Sequence, residues 1–185
     1  MASYSRLRRR QLLQEAEGYL ELLLTFADKW PLSPQQRDRV ALRALQALDR
    51  LDDPNCLAAL LLRGQGLRVM EQYDAAVIAF QQSLEKDPEN VAAFLELGWC
   101  YKRLGRLDLA IQSLEDALEV DRSQGIIHYN LACYWSLAHN VGLTLVHLAQ
   151  AFELDECFRD LVASEPDFDS VRNHPEFQQL TSVIV

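Results

Sequence analysis

The sequence repeats itself with a period of 34 residues. Three pairs of segments share this spacing, namely DAAVIAF (74–80) with DLAIQSL (108–114), EKDPEN (85–90) with EVDRSQ (119–124), and LELGWCY (95–101) with YNLACYW (129–135). A fixed period of this length is the signature of stacked supersecondary units that bury one continuous core. Because three separate matches share the period, the chain is predicted to be a solenoid of repeated units.

The repeated unit resembles the tetratricopeptide repeat, a pair of antiparallel helices. We place three units at residues 57–90, 91–124 and 125–158. The second unit fits the family best, and departs from it only at Arg122, where Pro is expected; its matching residues are Phe94, Leu97, Gly98, Tyr101, Ala110, Leu114 and Ala117. The resemblance implies an all-α fold, a right-handed tetratricopeptide superhelix (α-α solenoid) of antiparallel helix pairs.

The first and third units keep part of the same pattern. They retain family residues at nine positions, Gly64, Ala76, Phe80 and Pro88 in the first unit and Leu131, Ala132, Trp135, Leu148 and Ala151 in the third. In the family, the small residues lie where the two helices of a unit cross, so Gly64 and Ala76 are expected to let the backbones approach closely. Gly105 is expected to end a helix, and Asp74 and Asp108 to cap the helices that follow.

Residues 1–56 are predicted to form an N-terminal helical hairpin that caps the stack. Residues 41–55 align with residues 75–89 at the same offset, which indicates the second helix of a degenerate unit. A longer helix is expected over residues 5–28, before the break at Trp30 and Pro31. Its apolar residues recur at helical spacing and define one face, consisting of Leu12, Leu13, Ala16, Tyr19, Leu20, Leu23 and Phe26.

Residues 159–185 are predicted to be a C-terminal capping segment, which makes the whole chain one solenoid domain. The stretch DFDSVRNHPEFQQL is similar to the closing segment of many bacterial repeat arrays, and the similarity implies that four apolar residues cover the last unit: Phe168, Val171, Phe177 and Leu180. Its carboxylates at Glu165, Asp167 and Asp169 lack the Gly and the bidentate Glu of a Ca²⁺ loop. They are therefore expected to cap short helices.

The distribution of charge argues against nucleic acid as a partner. The chain carries a net charge of −9, and residues 51–158 hold seven Lys or Arg against sixteen Asp or Glu. Such a surface repels a duplex or an anionic membrane. The only basic cluster consists of Arg6, Arg8, Arg9 and Arg10. Its interpretation stays open between a solvated helix start and a contact with nucleic acid or lipid.

The residues expected at a catalytic or metal site are scattered. Cys56, Cys100, Cys133 and Cys157 form no CxxC pair, and the four His residues lack a carboxylate or Cys at ligand spacing. His128 and Cys133, five residues apart, fall on different faces of a helix. No enzyme activity, metal or other cofactor is therefore expected. The apolar stretches are too short to span a membrane, and free cysteines are typical of a cytoplasmic protein.

The resemblance implies a protein-interaction module or assembly adaptor that binds a peptide in its concave groove. In the family, the first helix of each unit lines this groove, and the matching positions here are Leu61, Gln65, Arg68, Leu95, Trp99, Lys102, Arg103, Ile126, Tyr129 and Cys133. The strip is apolar and aromatic beside basic residues, so the partner is expected to be an apolar peptide with some acidic residues. The pattern also allows a closed groove, in which the neighbouring unit or the N-terminal helix covers Trp99 and Tyr129. It further allows a homodimer formed through a helix face, and an enzyme with an unrecognised site.

Overall fold

In a computed structural model, which describes residues 2–27 and 32–182, all regular structure within those ranges is helical. The chain divides into two compact units, residues 1–100 and 101–185, and the boundary lies inside α5. The helices in chain order are α1 (Ala2–Ala27), α2 (Pro34–Leu48), α3 (Leu57–Val69), α4 (Tyr73–Lys86), α5 (Val91–Arg103), α6 (Leu107–Val120), α7 (Gly125–Leu137), α8 (Val141–Leu154), α9 (Phe158–Val162), a 3₁₀ helix (Pro166–Phe168) and α10 (Pro175–Thr181).

The helix starts keep the period of the sequence. Helices α3, α5 and α7 begin at residues 57, 91 and 125, and α4, α6 and α8 begin at residues 73, 107 and 141. Consecutive helices pack as pairs, with α3 against α4 and α7 against α8. The all-helical prediction and the prediction of repeated helix pairs are therefore confirmed.

The N-terminal unit opens with the predicted long helix, α1, packed on α2 and α3. The stripe on α1 buries Leu12, Ala16, Leu20 and Leu23, and leaves Leu13 and Tyr19 partly buried. Helix α2 begins with a capping box, in which Ser33 Oγ accepts from Gln36 N and Gln36 Oε1 accepts from Ser33 N. The Trp30–Pro31 break and the side chain of Phe26 lie outside what the structure describes.

The crossing of α3 and α4 requires glycine at position 64. A Cβ built on Gly64 would lie 2.5 Å from Cε1 of Phe80, whose side chain is fully buried. Ala76 on α4 is also fully buried. The close approach expected from the small residues of the first unit is thus observed, and Phe80 fills the space that the missing side chain leaves.

The turn inside each helix pair uses one residue in the left-handed region. Gly105 has φ of +72° and follows the end of α5, as predicted, and the equivalent residues Glu71 and His139 have φ of 59° and 58°. The predicted caps are wrong, because the residues that precede α4 and α6 are Gln72 and Arg106. Asp74 and Asp108 lie inside the first turn instead, where a carboxylate stabilises the positive end of the helix dipole.

In the C-terminal unit, α7 packs against α6, α8 and the 3₁₀ helix. We call residues 158–182, which follow α8, the closing segment. Of the four residues predicted to cover the last unit, Phe168, Val171 and Phe177 are buried and Leu180 is half-buried, and α10 packs on α8. Glu165 caps the 3₁₀ helix, since its Oε1 accepts from Asp167 N at 3.1 Å. None of the helices described is long and apolar enough to cross a bilayer.

Candidate functional site

Five of the residues predicted to bind a partner lie together in the N-terminal unit. Leu61, Gln65 and Arg68 project from α3, and Leu95 and Trp99 from α5. All five side chains are half-buried, whereas Leu60 and Leu97 beside them in sequence are buried. We call these five residues the α3/α5 surface.

Arg68 links the two helices of this surface. Its Nε lies 2.8 Å from Glu96 Oε2, and its guanidinium carbon lies 4.8 Å from the centre of the Trp99 ring. The N–H of this nitrogen is not directed at an acceptor among the described residues, so the Glu96 contact is an ion pair rather than a hydrogen bond. Trp99 also packs edge-on against Tyr73, with ring centres 5.6 Å apart. Contacts on both sides therefore hold the indole in place.

Burial raises the pKa values of Glu96 and Cys100, which lie near Arg68. Desolvation raises the pKa of Glu96, and the opposing charge of Arg68 and a hydrogen bond from Gln65 only partly offset it. Burial likewise raises the pKa of the Cys100 thiol to about 12. The sequence analysis did not include Glu96 in the binding site. Its position one turn before Trp99, on the first helix of the next unit, could have indicated that it pairs with Arg68.

The other five predicted residues have different surroundings. Lys102 and Arg103 lie in the last turn of α5, and Arg103 is exposed. Ile126, at the start of α7, is 38% exposed, but Tyr129 and Cys133 on the same helix are only 5% and 3% exposed. The sequence predicts that these positions form one exposed strip, but in the structure Tyr129 and Cys133 are buried.

The closing segment covers Tyr129. Phe158 stacks on its ring, with centres 5.1 Å apart and planes at 21°, and Phe168 meets it edge-on at 5.8 Å. Lys102 Nζ lies 2.5 Å from Asp167 Oδ2 and 5.5 Å from the centre of the Tyr134 ring. The sequence predicts an open groove and allows, as the alternative, a cover over Tyr129 from the neighbouring unit or the N-terminal helix; in the structure the closing segment covers Tyr129.

Hydrogen bonds to the main chain fix the closing segment on α7. Ser136 Oγ donates to the carbonyl of Asp167 at 2.7 Å, and Ser170 Oγ donates to the carbonyl of Ser136 at 2.9 Å. Within the closing segment, Arg172 donates to the carbonyls of Val162 and Glu165 at 3.1 and 2.7 Å. Sequence reasoning expected apolar cover from this segment and missed these polar contacts.

The pKa values of Cys133, Cys157, His128 and His147 are shifted in the direction that favours the neutral form. Burial, with the charges of Glu165 and Asp167, raises the pKa of the Cys133 thiol, and a hydrogen bond to Asp155 raises that of the Cys157 thiol. His147 Nδ1 lies 3.2 Å from Nδ1 of His128, and desolvation together with this neighbour lowers the pKa of His147 to about 4. A thiol is a far weaker nucleophile than a thiolate. These groups are therefore poorly suited to covalent chemistry at neutral pH.

Comparison with known proteins agrees with this architecture. The family model described as tetratricopeptide repeat matches residues 61–126. Among solved structures, MamA MSR-1 superposes with a TM-score of 0.59 at 23% identity, over 84% of this chain and 98% of the other. MamA AMB-1 gives 0.58 at 23% identity over 84% and 94%, and a further crystal structure of MamA gives 0.60 at 17% over 84% and 89%. No curated protein matches the sequence.

The likeness to MamA concerns the fold alone at this level of identity. The family match spans all but the first four residues of the predicted first unit, the whole of the second and the first two residues of the third. The matched residues include the helix pair α5 and α6 and most of α3. Residues 61–126 are therefore tetratricopeptide repeats, and the chain has the all-helical fold of that repeat family.

Proposed function

We propose that this protein is a non-catalytic interaction module that binds a peptide segment of another protein along the α3/α5 surface. The observation that carries the proposal is a set of half-buried apolar side chains on α3 and α5, namely Leu61, Leu95 and Trp99. Arg68 and Tyr73 hold its largest residue in a fixed orientation. A preorganised aromatic group beside an Arg is the arrangement enriched at binding hot spots, because little side-chain entropy is lost when the partner arrives.

The chemistry of the partner follows from the charges near this surface. Arg68 is paired with Glu96, and Lys102 is paired with Asp167, so both cations already face an acidic side chain of this chain. Arg103 is exposed at the end of α5. The proposed partner therefore contributes mainly apolar side chains, with some acidic residues in a supporting role.

The proposal that the module is non-catalytic agrees with the state of its reactive groups. The thiol of Cys100 has a pKa raised to about 12, and that of Cys133 is raised by burial. The Nδ1 atoms of His128 and His147 face each other at 3.2 Å, so neither of these two nitrogens is directed at a nucleophile. The family's repeats serve recognition, which supports a scaffold role without naming the partner.

Site-specific photocrosslinking tests this proposal. A photoreactive residue replaces Gln65 on the α3/α5 surface in one variant and the exposed Gln82 on α4 in a matched control. In native lysate, we expect Gln65 to give an adduct that the control does not give, and Trp99→Ala with Arg103→Glu to abolish it. The Arg103 change is preferred to one at Lys102, which also holds the closing segment.

The captured segment is then synthesised and titrated by calorimetry. Wild-type protein should bind it, and the Trp99→Ala, Arg103→Glu variant should lose at least tenfold in affinity while keeping its helicity and melting temperature. Identical adducts from Gln65 and Gln82 would show that the α3/α5 surface is not the binding site. Self-adducts from Gln65, together with a dimer in light scattering, would favour the homodimer instead.

A further inference from the structure

The closing segment occupies the side of α7 as a ligand would. Asp167 pairs with Lys102, and Phe168, which is fully buried, packs edge-on against Tyr129. The carbonyl of Asp167 accepts a hydrogen bond from Ser136 Oγ. The surface thus contacts one carboxylate, one aromatic ring and one main-chain carbonyl of two consecutive residues. These are the features by which a groove recognises a short peptide motif.

The repeat register explains why the motif fits here. Arg68 and Lys102 are 34 residues apart and occupy the same unit position, but α5, the first helix of the next unit, supplies Glu96 and Trp99 to Arg68. The equivalent residues on α7 are Asn130, which is uncharged, and Cys133, which is small. Lys102 is therefore left without a repeat-encoded acidic partner. Asp167 of the closing segment supplies the missing carboxylate.

The fit leaves one polar group unsatisfied. The hydroxyl of Tyr129 is buried, and no hydrogen-bond partner for it exists in the part of the chain that the structure describes. A buried hydroxyl without a partner loses its bonds to water and gains nothing in return. The closing segment is consequently an imperfect occupant, and a peptide that offers an acceptor to Tyr129 would fit better.

We propose that α7 and Lys102 form a second recognition site, for a peptide in which an acidic residue directly precedes an aromatic residue. The chain's own Asp167 and Phe168 fill it at rest, and a partner with this motif binds by displacing them. The tether gives the closing segment a high effective concentration, so the partner meets a competitor that is always present. This site lies outside the α3/α5 surface and does not depend on its proposed function.

The test uses the full chain and a fluorescent peptide with the sequence of residues 163–172, ASEPDFDSVR, in an anisotropy titration. Wild-type protein should bind this probe weakly, because its own segment competes. Asp167→Lys places two cations together and should release the segment, so that probe affinity rises at least tenfold. A probe with its first Asp replaced by Ala should lose this gain.

Two variants provide the controls. Adding Lys102→Glu to Asp167→Lys restores an ion pair of reversed sign, which should reseat the segment; the new carboxylate also repels the Asp of the probe, so probe affinity should fall to the wild-type level or below. Asp169→Lys changes an exposed carboxylate paired with Arg172, and should leave probe affinity unchanged. Hydrogen exchange at α7 should increase for Asp167→Lys alone.

An Asp167→Lys protein that keeps its helicity and binds the probe no better than wild type would overturn the proposal. If that variant loses helicity, Asp167→Asn replaces it, and the same order of affinities is required. Equal gains for Asp167→Lys and Asp169→Lys would also overturn the proposal, because a general charge effect would then explain the binding. Crosslinks from Gln65 report on the other surface, so the two proposals can fail separately.

Discussion

Arg68 and Lys102 stand at equivalent repeat positions, yet the chain neutralises them in different ways. Arg68 in the N-terminal unit is held by Glu96 and Trp99, both from the repeat helix α5. Lys102 in the C-terminal unit is held by Asp167, which lies 65 residues further along the chain in the closing segment. Contacts within the repeats complete the first site, and a terminal appendage completes the second.

This difference indicates which part of the molecule can detach without unfolding the rest. A repeat helix cannot leave without breaking the stack, because its apolar face is part of the continuous core. The closing segment lies outside the repeat stack and is anchored by three aromatic rings, a few aliphatic side chains, one ion pair and main-chain hydrogen bonds, so it can detach locally at less than the global unfolding free energy. The N-terminal unit is therefore a fixed surface, and the α7 surface is a covered one.

The largest expected effect comes from removing a buried ring in each unit. Phe80→Ala should cost about 3–5 kcal/mol of unfolding free energy, since the ring is fully buried at the helix crossing. Phe168→Ala removes an equally buried ring, but the closing segment can detach instead, so the global loss should be less than half as large. Urea denaturation followed by circular dichroism measures both. Equal losses in one cooperative transition would show that the closing segment belongs to the same core.

Glycine substitutions give the next largest contrast. Gly64→Ala places a methyl group against the immobile Phe80 ring and should cost about 1–3 kcal/mol. Gly125→Ala meets Cε2 of the half-buried Phe158 at 2.7 Å, and that ring can swing away with the closing segment, so the global loss should be smaller. Gly18→Ala has nothing within 4 Å and is the matched control, expected to stabilise α1 by about 0.5–1 kcal/mol. Thermal melts rank the three variants.

The pH dependence of stability should run in opposite directions in the two units. His147 has a pKa lowered to about 4, below the unfolded value of 6.5, so the unfolded chain takes up a proton first and stability falls as pH drops through this window. Allowing for solvent at this half-buried ring, the loss should be about 1–2 kcal/mol. Glu96 has a raised pKa, so its contribution falls as pH rises above 4.5.

Urea midpoints at pH 7.5 and 5.0 separate the two groups. His147→Gln should reduce the loss of stability on acidification. Without the imidazole, the unfolded chain no longer binds a proton that the folded protein does not. Glu96→Gln should increase that loss, since the opposing contribution is gone. If His147→Gln retains the wild-type pH dependence, the imidazole pair between α7 and α8 does not govern acid stability.

The turns should give the smallest effects. Gly105→Ala forces a Cβ into a left-handed conformation and should cost about 1 kcal/mol. His139→Gly should stabilise the C-terminal unit by up to about 1 kcal/mol, because φ of 58° is strained for histidine. Glu71→Gly in the N-terminal unit should gain less, because it also removes the 2.8 Å ion pair with Arg37. Melting temperatures should be highest for His139→Gly, lower for Glu71→Gly and lowest for Gly105→Ala. A lower melting temperature for His139→Gly than for wild type would contradict this ranking.

Much of the fold could be predicted from local sequence. The 34-residue period indicated the helix pairs, and the small residue at position 64 indicated a close helix crossing that Phe80 then fills. The stripe on α1 identified Leu12, Ala16, Leu20 and Leu23 as core. These features follow from spacing along one or two helices, and apolar side chains at helical spacing must share a face. The positions of the helix caps were less predictable, because a carboxylate in the first turn and one at the cap give similar sequence signals.

Only the tertiary structure decided which predicted groove residues are covered. The sequence by itself determined that Trp99, Tyr129 and Cys133 fall on first helices, since the repeat register fixes their positions. It did not determine that Phe158 and Phe168 lie over Tyr129, or that Asp167 reaches Lys102. Periodicity encodes contacts between neighbouring units, whereas the closing segment has no period. Its position is selected by the shape and charge that α7 and Lys102 present once they are folded.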